Sequence, residues 1–109
     1  MPRYPDHPIL ERPWLWSISK LTIVVDSEEG VESYLDLTLT NGRLRRCLRF
    51  FHPCNINVGK NFPDNNSGMC ILDITSKHLD GLTIEVANFE NADPSIEFLA
   101  HSVKLVEEN

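Results

Sequence analysis

The chain has 109 residues, of which 16 are acidic and 10 are basic, so its formal net charge is −6 at pH 7. This length suits one domain, and a hydrophobic fraction of 41% suffices for one packed core, which argues against a disordered chain. The acidic balance argues against nucleic-acid binding, and no segment approaches the roughly 20 apolar residues of a membrane-spanning helix.

Residues 1–13 carry four of the seven prolines. Proline lacks a backbone donor and restricts the residue before it to extended conformations. We therefore expect residues 1–13 to be an extended Pro-rich arm and residues 14–109 to form a single β domain. The first residues do not resemble a signal peptide, and three cysteines without repeated spacing do not suggest a secreted disulfide framework, so we expect a cytoplasmic protein.

Residues 14–25 are rich in aromatic and β-branched side chains, which is typical of a strand. Trp14 and Trp16 would share one face of it, either as part of the core or as a partner-binding surface. After Lys20, the apolar residues occupy odd-numbered instead of even-numbered positions and would therefore face the other side of the strand. Because a strand on one core cannot change phase without an extra residue or a change of sheet, the sequence predicts one of these near Ser19.

The clearest pattern lies in residues 34–50, where two alternating apolar runs flank Asn41-Gly42. Asn-Gly favours a two-residue type I′ turn, since both central residues then need a positive φ. We expect a hairpin in which the numbers of paired residues sum to 83. In this register Leu39 faces Leu44, Leu37 faces Arg46, Leu35 faces Leu48, Tyr34 faces Arg49 and Asp36 faces Cys47.

The rest of the chain is expected to be β structure separated by polar turns. Residues 52–68 form a long loop that has room for a short strand at 55–58, and further strands are predicted at 69–75 and 82–87. Residues 96–106 fit both a strand and a helix, and we favour the strand. Together these segments predict an all-β, single-domain antiparallel β-sandwich or small barrel of five to seven strands.

One local departure from the acidic average is a run of four arginines within seven residues that contain no acid: Arg43, Arg45, Arg46 and Arg49. Three of them are expected to point outward beside Tyr34. Guanidinium groups suit bidentate recognition of carboxylate or phosphate, so an anionic ligand or acidic partner is one interpretation. The other is that acids such as Asp36 neutralise them on a solvated sheet face.

Arg46 differs from its neighbours because the predicted register points it inward, among leucines. A charged group is costly to bury unless it is paired and hydrogen-bonded. We expect the side chain to reach the rim of the sheet, to meet a carboxylate such as Asp73 or Glu85, or to line a ligand cavity.

No nucleophile elbow, phosphate loop or dinucleotide fingerprint occurs in the sequence. His52 and Cys54 are residue types that bind zinc, but the paired close spacings of structural zinc sites are missing. We therefore predict no catalytic residue, metal or cofactor. The expected function is a non-enzymatic interaction module that binds a protein partner or self-associates into a homo-oligomer. The alternative is a small anionic ligand bound at the strand that carries Arg43 to Arg49.

Overall fold

The computed structural model describes residues 4–25, 32–60, 62–63, 68–88 and 95–108. These residues form two four-stranded antiparallel sheets, with strand orders β1-β2-β3-β8 and β4-β7-β6-β5. The prediction of an all-β antiparallel sandwich is confirmed. The strands are β1 (Ser17–Val24), β2 (Tyr34–Asn41), β3 (Leu44–Phe51), β4 (Cys54–Val58), β5 (Met69–Asp73), β6 (Ile84–Asn88), β7 (Ile96–Ala100) and β8 (Ser102–Glu108).

The described residues contain eight strands rather than the expected five to seven. The additional strand arises because the last segment is not one strand but two, β7 and β8, which meet at His101 and belong to different sheets. Ile96, Phe98 and Ala100 are buried in the period of two that a strand requires, so the helical alternative for this segment is wrong.

The core lies between the two sheets. Phe50 of the first sheet and Phe98 of the second meet edge to face with their ring centroids 4.8 Å apart. The first sheet supplies Leu35, Leu37, Leu39, Leu48 and Phe50, and the second supplies Met69, Ile71, Ile84, Val86, Ile96, Phe98 and Ala100. Burial of these apolar side chains is the main force that holds the sheets face to face.

The predicted change of phase in the first strand is confirmed as a β-bulge. Ile18 pairs with Leu39, whereas Lys20 pairs with Thr38, so Ser19 is the extra residue of β1. The hydroxyl of Ser19 donates a hydrogen bond to the carbonyl oxygen of Thr38 at 3.3 Å. The bulge lets β1 bury Ile18 and still continue along β2.

The β2–β3 hairpin forms, but the predicted register is wrong by two. Paired numbers sum to 85, because Asn41 pairs with Leu44 and the turn is Gly42-Arg43. Gly42 has φ 62 and is the first central residue, which is the position of glycine in a type II′ turn. A shift by two leaves every side chain on its predicted face.

The new register changes which residues face each other across the hairpin. Tyr34 lies opposite Phe51 rather than Arg49, and Asp36 lies directly opposite Arg49 rather than Cys47. Charges of opposite sign therefore meet across the strands, an arrangement that stabilises an antiparallel pair. The Asn41-Gly42 sequence alone did not predict that Asp36 pairs with Arg49.

The prediction of a strand over residues 14–16 is wrong. Pro13, Trp14 and Leu15 form a short 3-10 turn, and β1 begins only at Ser17. Proline suits the first position of such a turn because its φ is already fixed near the required value. Trp14 and Trp16 therefore do not share a strand face: Trp16 is 7% exposed in the core, and Trp14 is half-buried outside it.

The described part of the arm, residues 4–13, is called here the N-terminal segment. It lies along the edge of β5, where the amide of His7 donates to the carbonyl of Ile71 and the amide of Asp73 donates to that of Pro5, both at 2.8 Å. Leu10 is buried in the main core. The edge strand β5 is thus covered by the chain's own N-terminal segment.

Candidate functional site

Arg49 is fully engaged on the outer face of the first sheet. Its Nε and Nη2 donate to the two carboxylate oxygens of Asp36 at 2.8 and 2.9 Å. Its guanidinium carbon lies 3.9 Å from the centroid of the Tyr34 ring, which is a cation–π contact. The hydrogen bond to Asp36 raises the pKa of Arg49 above its ordinary value. Asp36 therefore neutralises this arginine, as the solvated-face interpretation expects.

The other two outward arginines do not join Arg49 in one site. Arg45 forms an ion pair with Glu107 of β8 at 3.1 Å. Arg43 is exposed in the hairpin turn. The structure thus distributes Arg43, Arg45 and Arg49 along the hairpin, each in a separate environment.

Arg46 lies on the inner face, as the sequence predicts, but it pairs with Leu39 rather than with Leu37, because of the same shift in register. Its side chain is 22% exposed, with Nε 3.4 Å from a carboxylate oxygen of Glu108. Nη1 donates to the backbone oxygen of Arg45 at 2.9 Å, and the guanidinium carbon lies 5.6 Å from the Trp16 ring centroid. The side chain thus reaches the rim of the sheet, where β8 ends.

The carboxylates suggested as partners of Arg46 are engaged elsewhere. Asp73 accepts hydrogen bonds from the amide and hydroxyl of Thr75 at 2.9 and 2.6 Å, and these bonds hold the pKa of Asp73 below its usual range. Glu85 lies 3.7 Å from the ammonium group of Lys77. Both belong to the second sheet or its turn, whereas Arg46 is held at the hairpin end of the first.

A cleft of about 500 Å³ opens beside Arg46, and we call it the Arg46 cleft. Residues 9–12 of the N-terminal segment form one wall, Trp16 and Leu15 extend it, and Asn41 lies with Arg46 on the hairpin side. Two arginines, Arg12 and Arg46, therefore line one concavity around a buried indole. Glu11 lines it as well.

Arg12 has an unusual backbone conformation in this wall. Its φ of 49° and ψ of 60° are left-handed, which is uncommon for a residue other than glycine, asparagine or aspartate. The carbonyl oxygen of Arg12 accepts a hydrogen bond from the amide of Leu15 at 3.0 Å, so the 3-10 turn that follows fixes this conformation. Backbone strain of this kind is concentrated at functional sites.

A second, smaller cleft of about 380 Å³ shares residues 10–12 with the first and is also lined by His7 and Trp14. The ring nitrogen Nδ1 of His7 accepts a hydrogen bond from the backbone amide of Ile9 at 3.1 Å. Burial lowers the pKa of His7, although the charge of Asp73 acts in the opposite direction. A neutral His7 is therefore part of the docked N-terminal segment.

Sequence reasoning identified Arg46 and Trp16 but missed Arg12, Asn41 and the rest of the cleft wall. Arg12 precedes Pro13, and a residue before proline is normally expected to be extended rather than left-handed. No local signal therefore pointed to a turn there. The position of residues 9–12 beside the hairpin depends on contacts distant in sequence.

The described residues contain no group of three or more histidine, cysteine, aspartate or glutamate residues placed to hold an ion. Cys47, Cys54 and Cys70 are free thiols, and only Cys54 is more than marginally exposed. The thiols offer no evident centre for chemistry.

Comparison with protein-family models, with curated proteins and with solved structures finds no match to this chain. Within the described ranges, no helix has the length and apolar character needed to cross a bilayer. In the described residues, the fold and the site define an antiparallel sandwich of two four-stranded sheets with a polar cleft at one end.

Proposed function

We propose that the protein is a non-enzymatic binding domain whose ligand presents a carboxylate or phosphate group to the Arg46 cleft. The observation that carries this proposal is that Arg12 and Arg46 line one concavity of about 500 Å³ around Trp16. This volume lies within the roughly 300–1,000 Å³ typical of small-molecule sites. The proposal develops the anionic-ligand alternative raised by the sequence.

The ion pair between Arg46 and Glu108 can be exchanged for a ligand anion. Glu108 is 58% exposed, and its carboxylate oxygen lies 3.4 Å from Nε of Arg46. Exposed ion pairs contribute only about 0–1 kcal/mol, so a ligand anion can replace Glu108. Within the described residues, no ion pair involves Arg12.

The sequence supports the non-enzymatic part of the proposal, and we further propose a cytoplasmic location. No recognised catalytic motif is present, and an odd number of cysteines, all of them free thiols, fits a reducing compartment. A carboxylate and a phosphate each present two oxygens that one guanidinium group can bind at the same time.

Binding is tested by titrating the protein with inorganic phosphate, citrate and adenosine diphosphate in separate calorimetric and thermal-shift experiments. At least one probe is expected to bind saturably, and Arg46→Leu and Arg12→Leu are each expected to weaken it about tenfold or more, the equivalent of one charge-assisted hydrogen bond. Glu11→Gln is expected to tighten binding, since it removes a like charge. Arg43→Leu is the matched control and should bind as the parent chain does.

The absence of saturable binding by every probe would contradict the proposal. So would a loss of binding in Arg43→Leu as large as that in Arg46→Leu, because the affinity would then reflect general charge. Each thermal shift is measured against the same variant without ligand, so that changes in stability do not count as changes in binding.

A protein partner or a second copy of the chain is the other candidate. The sheet order leaves β1 and β8 at the edges of the first sheet, and exposed apolar side chains accompany them, with Ile23 43% and Val25 72% exposed. Unpaired edge strands are sites at which another chain can add a strand. Light scattering tests self-association and lysate capture tests a partner; a strict monomer at high concentration that captures nothing would remove this candidate.

A further inference from the structure

Two corners of the sandwich bring two histidines together at the end of β3 remote from the hairpin. The chain passes from β3 to β4 at His52 and from β7 to β8 at His101, and each passage changes sheet. The amide of His101 donates to the carbonyl of Phe51 at 2.9 Å and so joins the two corners. The imidazole centroids lie 5.2 Å apart with an interplanar angle of 61°.

This separation matches the geometry of two imidazoles on one metal ion. With a zinc–nitrogen distance of about 2.0–2.1 Å and tetrahedral angles, the centroids of two coordinating rings lie about 5 Å apart. Both histidines are exposed, so their rings can turn toward a common ion from solvent. Imidazole is a ligand that suits zinc, copper and nickel.

The surroundings of each ring indicate which nitrogen is available. A methyl group placed on Gly81 would lie 3.2 Å from Cε1 and Nδ1 of His101, so this edge of the ring packs against Gly81. The nitrogen of His101 that remains for an ion is therefore Nε2. Nε2 of His52 lies 4.0 Å from a carboxylate oxygen of Glu32. Histidines that bind metal usually donate their second N–H to such a carboxylate, which leaves Nδ1 of His52 for the ion.

The backbone holds both corners in place. His52 has φ 50, a left-handed conformation that is uncommon outside glycine but more frequent in histidine than in most residues, and its amide donates to the carbonyl of Ser33 at 2.9 Å. The hydroxyl of Thr83 donates to the carbonyl of His101 at 2.6 Å. These hydrogen bonds hold the backbone of both histidines at the corners, while their exposed rings can turn toward a common ion.

The geometry points to a surface site at which His52 and His101 together bind one divalent transition-metal ion, with water or an external ligand in the remaining positions. Glu32 supports His52 as a neighbouring carboxylate. The site is separate from the Arg46 cleft, because Arg46 precedes His52 by six residues, about 20 Å along an extended strand. It therefore does not depend on the function proposed for that cleft.

The proposal is tested by calorimetric titration of the untagged protein with zinc chloride, and then with copper and nickel salts, at pH 7.5. One ion per chain is expected, with copper bound more tightly than nickel or zinc. His52→Ala and His101→Ala are each expected to weaken zinc binding at least tenfold.

The matched control is His78→Ala, because His78 is also exposed and left-handed, with φ 54. It should bind zinc as the parent chain does, and so should Cys54→Ser, which removes the nearest thiol along the chain. Glu32→Gln should weaken binding without abolishing it. His52→Asn repeats the test with a residue that tolerates the left-handed backbone, and circular dichroism verifies that each variant is folded.

The site would be overturned by an absence of saturable zinc binding in the parent chain, by full binding in His52→Ala or His101→Ala, or by a loss in His78→Ala equal to theirs. Loss of binding in Cys54→Ser would also overturn it, because the ion would then be held by a thiol. None of these results bears on the binding of anions to the Arg46 cleft.

Discussion

Arg46 and Arg49 stand three residues apart on β3 and have opposite environments. On the outer face, Arg49 donates hydrogen bonds to both carboxylate oxygens of Asp36 and stacks on the ring of Tyr34. On the inner face, Nε of Arg46 lies 3.4 Å from an oxygen of the exposed Glu108, and the side chain borders a cleft. The difference shows that a cluster of like charges does not by itself define a site; the geometry of the partners does.

The physical origin of the difference lies in what covers each face. The strand register places Asp36 directly opposite Arg49, so the outer face is neutralised within the sheet. Arg46 faces Leu39 across the hairpin, and the end of the inner face is closed by residues 9–16 rather than by another strand. An irregular segment leaves a concavity where a strand would have filled the space.

The largest expected effect concerns the buried indole beneath Arg46. Trp16→Ala removes a core side chain and is expected to lower the free energy of unfolding by about 3–5 kcal/mol, measured by urea denaturation. Trp14→Ala, at a half-buried position outside the main core, should cost clearly less. Equal losses would show that the two tryptophans share one environment, as the sequence pattern alone predicted.

The second effect tests the neutralised outer face. Asp36→Asn removes the charged partner of Arg49 and is expected to lower the free energy of unfolding by about 1 kcal/mol, a decrease in Tm of several degrees. Glu108→Gln alters an exposed, longer ion pair and should leave Tm nearly unchanged. If Glu108→Gln costs as much as Asp36→Asn, Arg46 is as firmly paired as Arg49, and the contrast between the faces fails.

The smallest effect concerns pH and the segment that walls the cleft. Burial lowers the pKa of His7 below 6.5 in the folded chain, so the unfolded chain takes up the proton first. Stability is therefore fully present above pH 6.5 and is lost as the pH falls through the lower folded-state value. Thermal unfolding between pH 5 and 8 should show this loss, and His7→Gln should reduce it. An unchanged profile in that variant would mean that His7 does not couple the segment to pH.

Local pattern was sufficient for much of the fold. The alternation of Leu35, Leu37 and Leu39 with polar neighbours predicted a half-buried strand, and the break of phase near Ser19 predicted the bulge. The inward position of Arg46 followed from the same period of two. These features depend on which side of a strand a residue occupies, and that is a property of the backbone repeat.

The errors share a different cause. Asn41-Gly42 satisfied the rule for a type I′ turn, but the chain uses Gly42-Arg43, which brings Asp36 opposite Arg49. Two registers that differ by two residues bury the same side chains, so alternation could not distinguish them. The assignment of Trp14 to a strand failed because propensity does not reveal that Pro13 begins a 3-10 turn.

The sequence by itself determined the fold class, the faces of the strands and the position of one bulge, since each of these is set by residues close along the chain. Only the tertiary structure decided that the N-terminal segment covers β5, that Arg12 joins Arg46 at one cleft, and that His52 meets His101 at a corner. These contacts join residues about 34 to 68 positions apart, beyond the reach of any local periodicity.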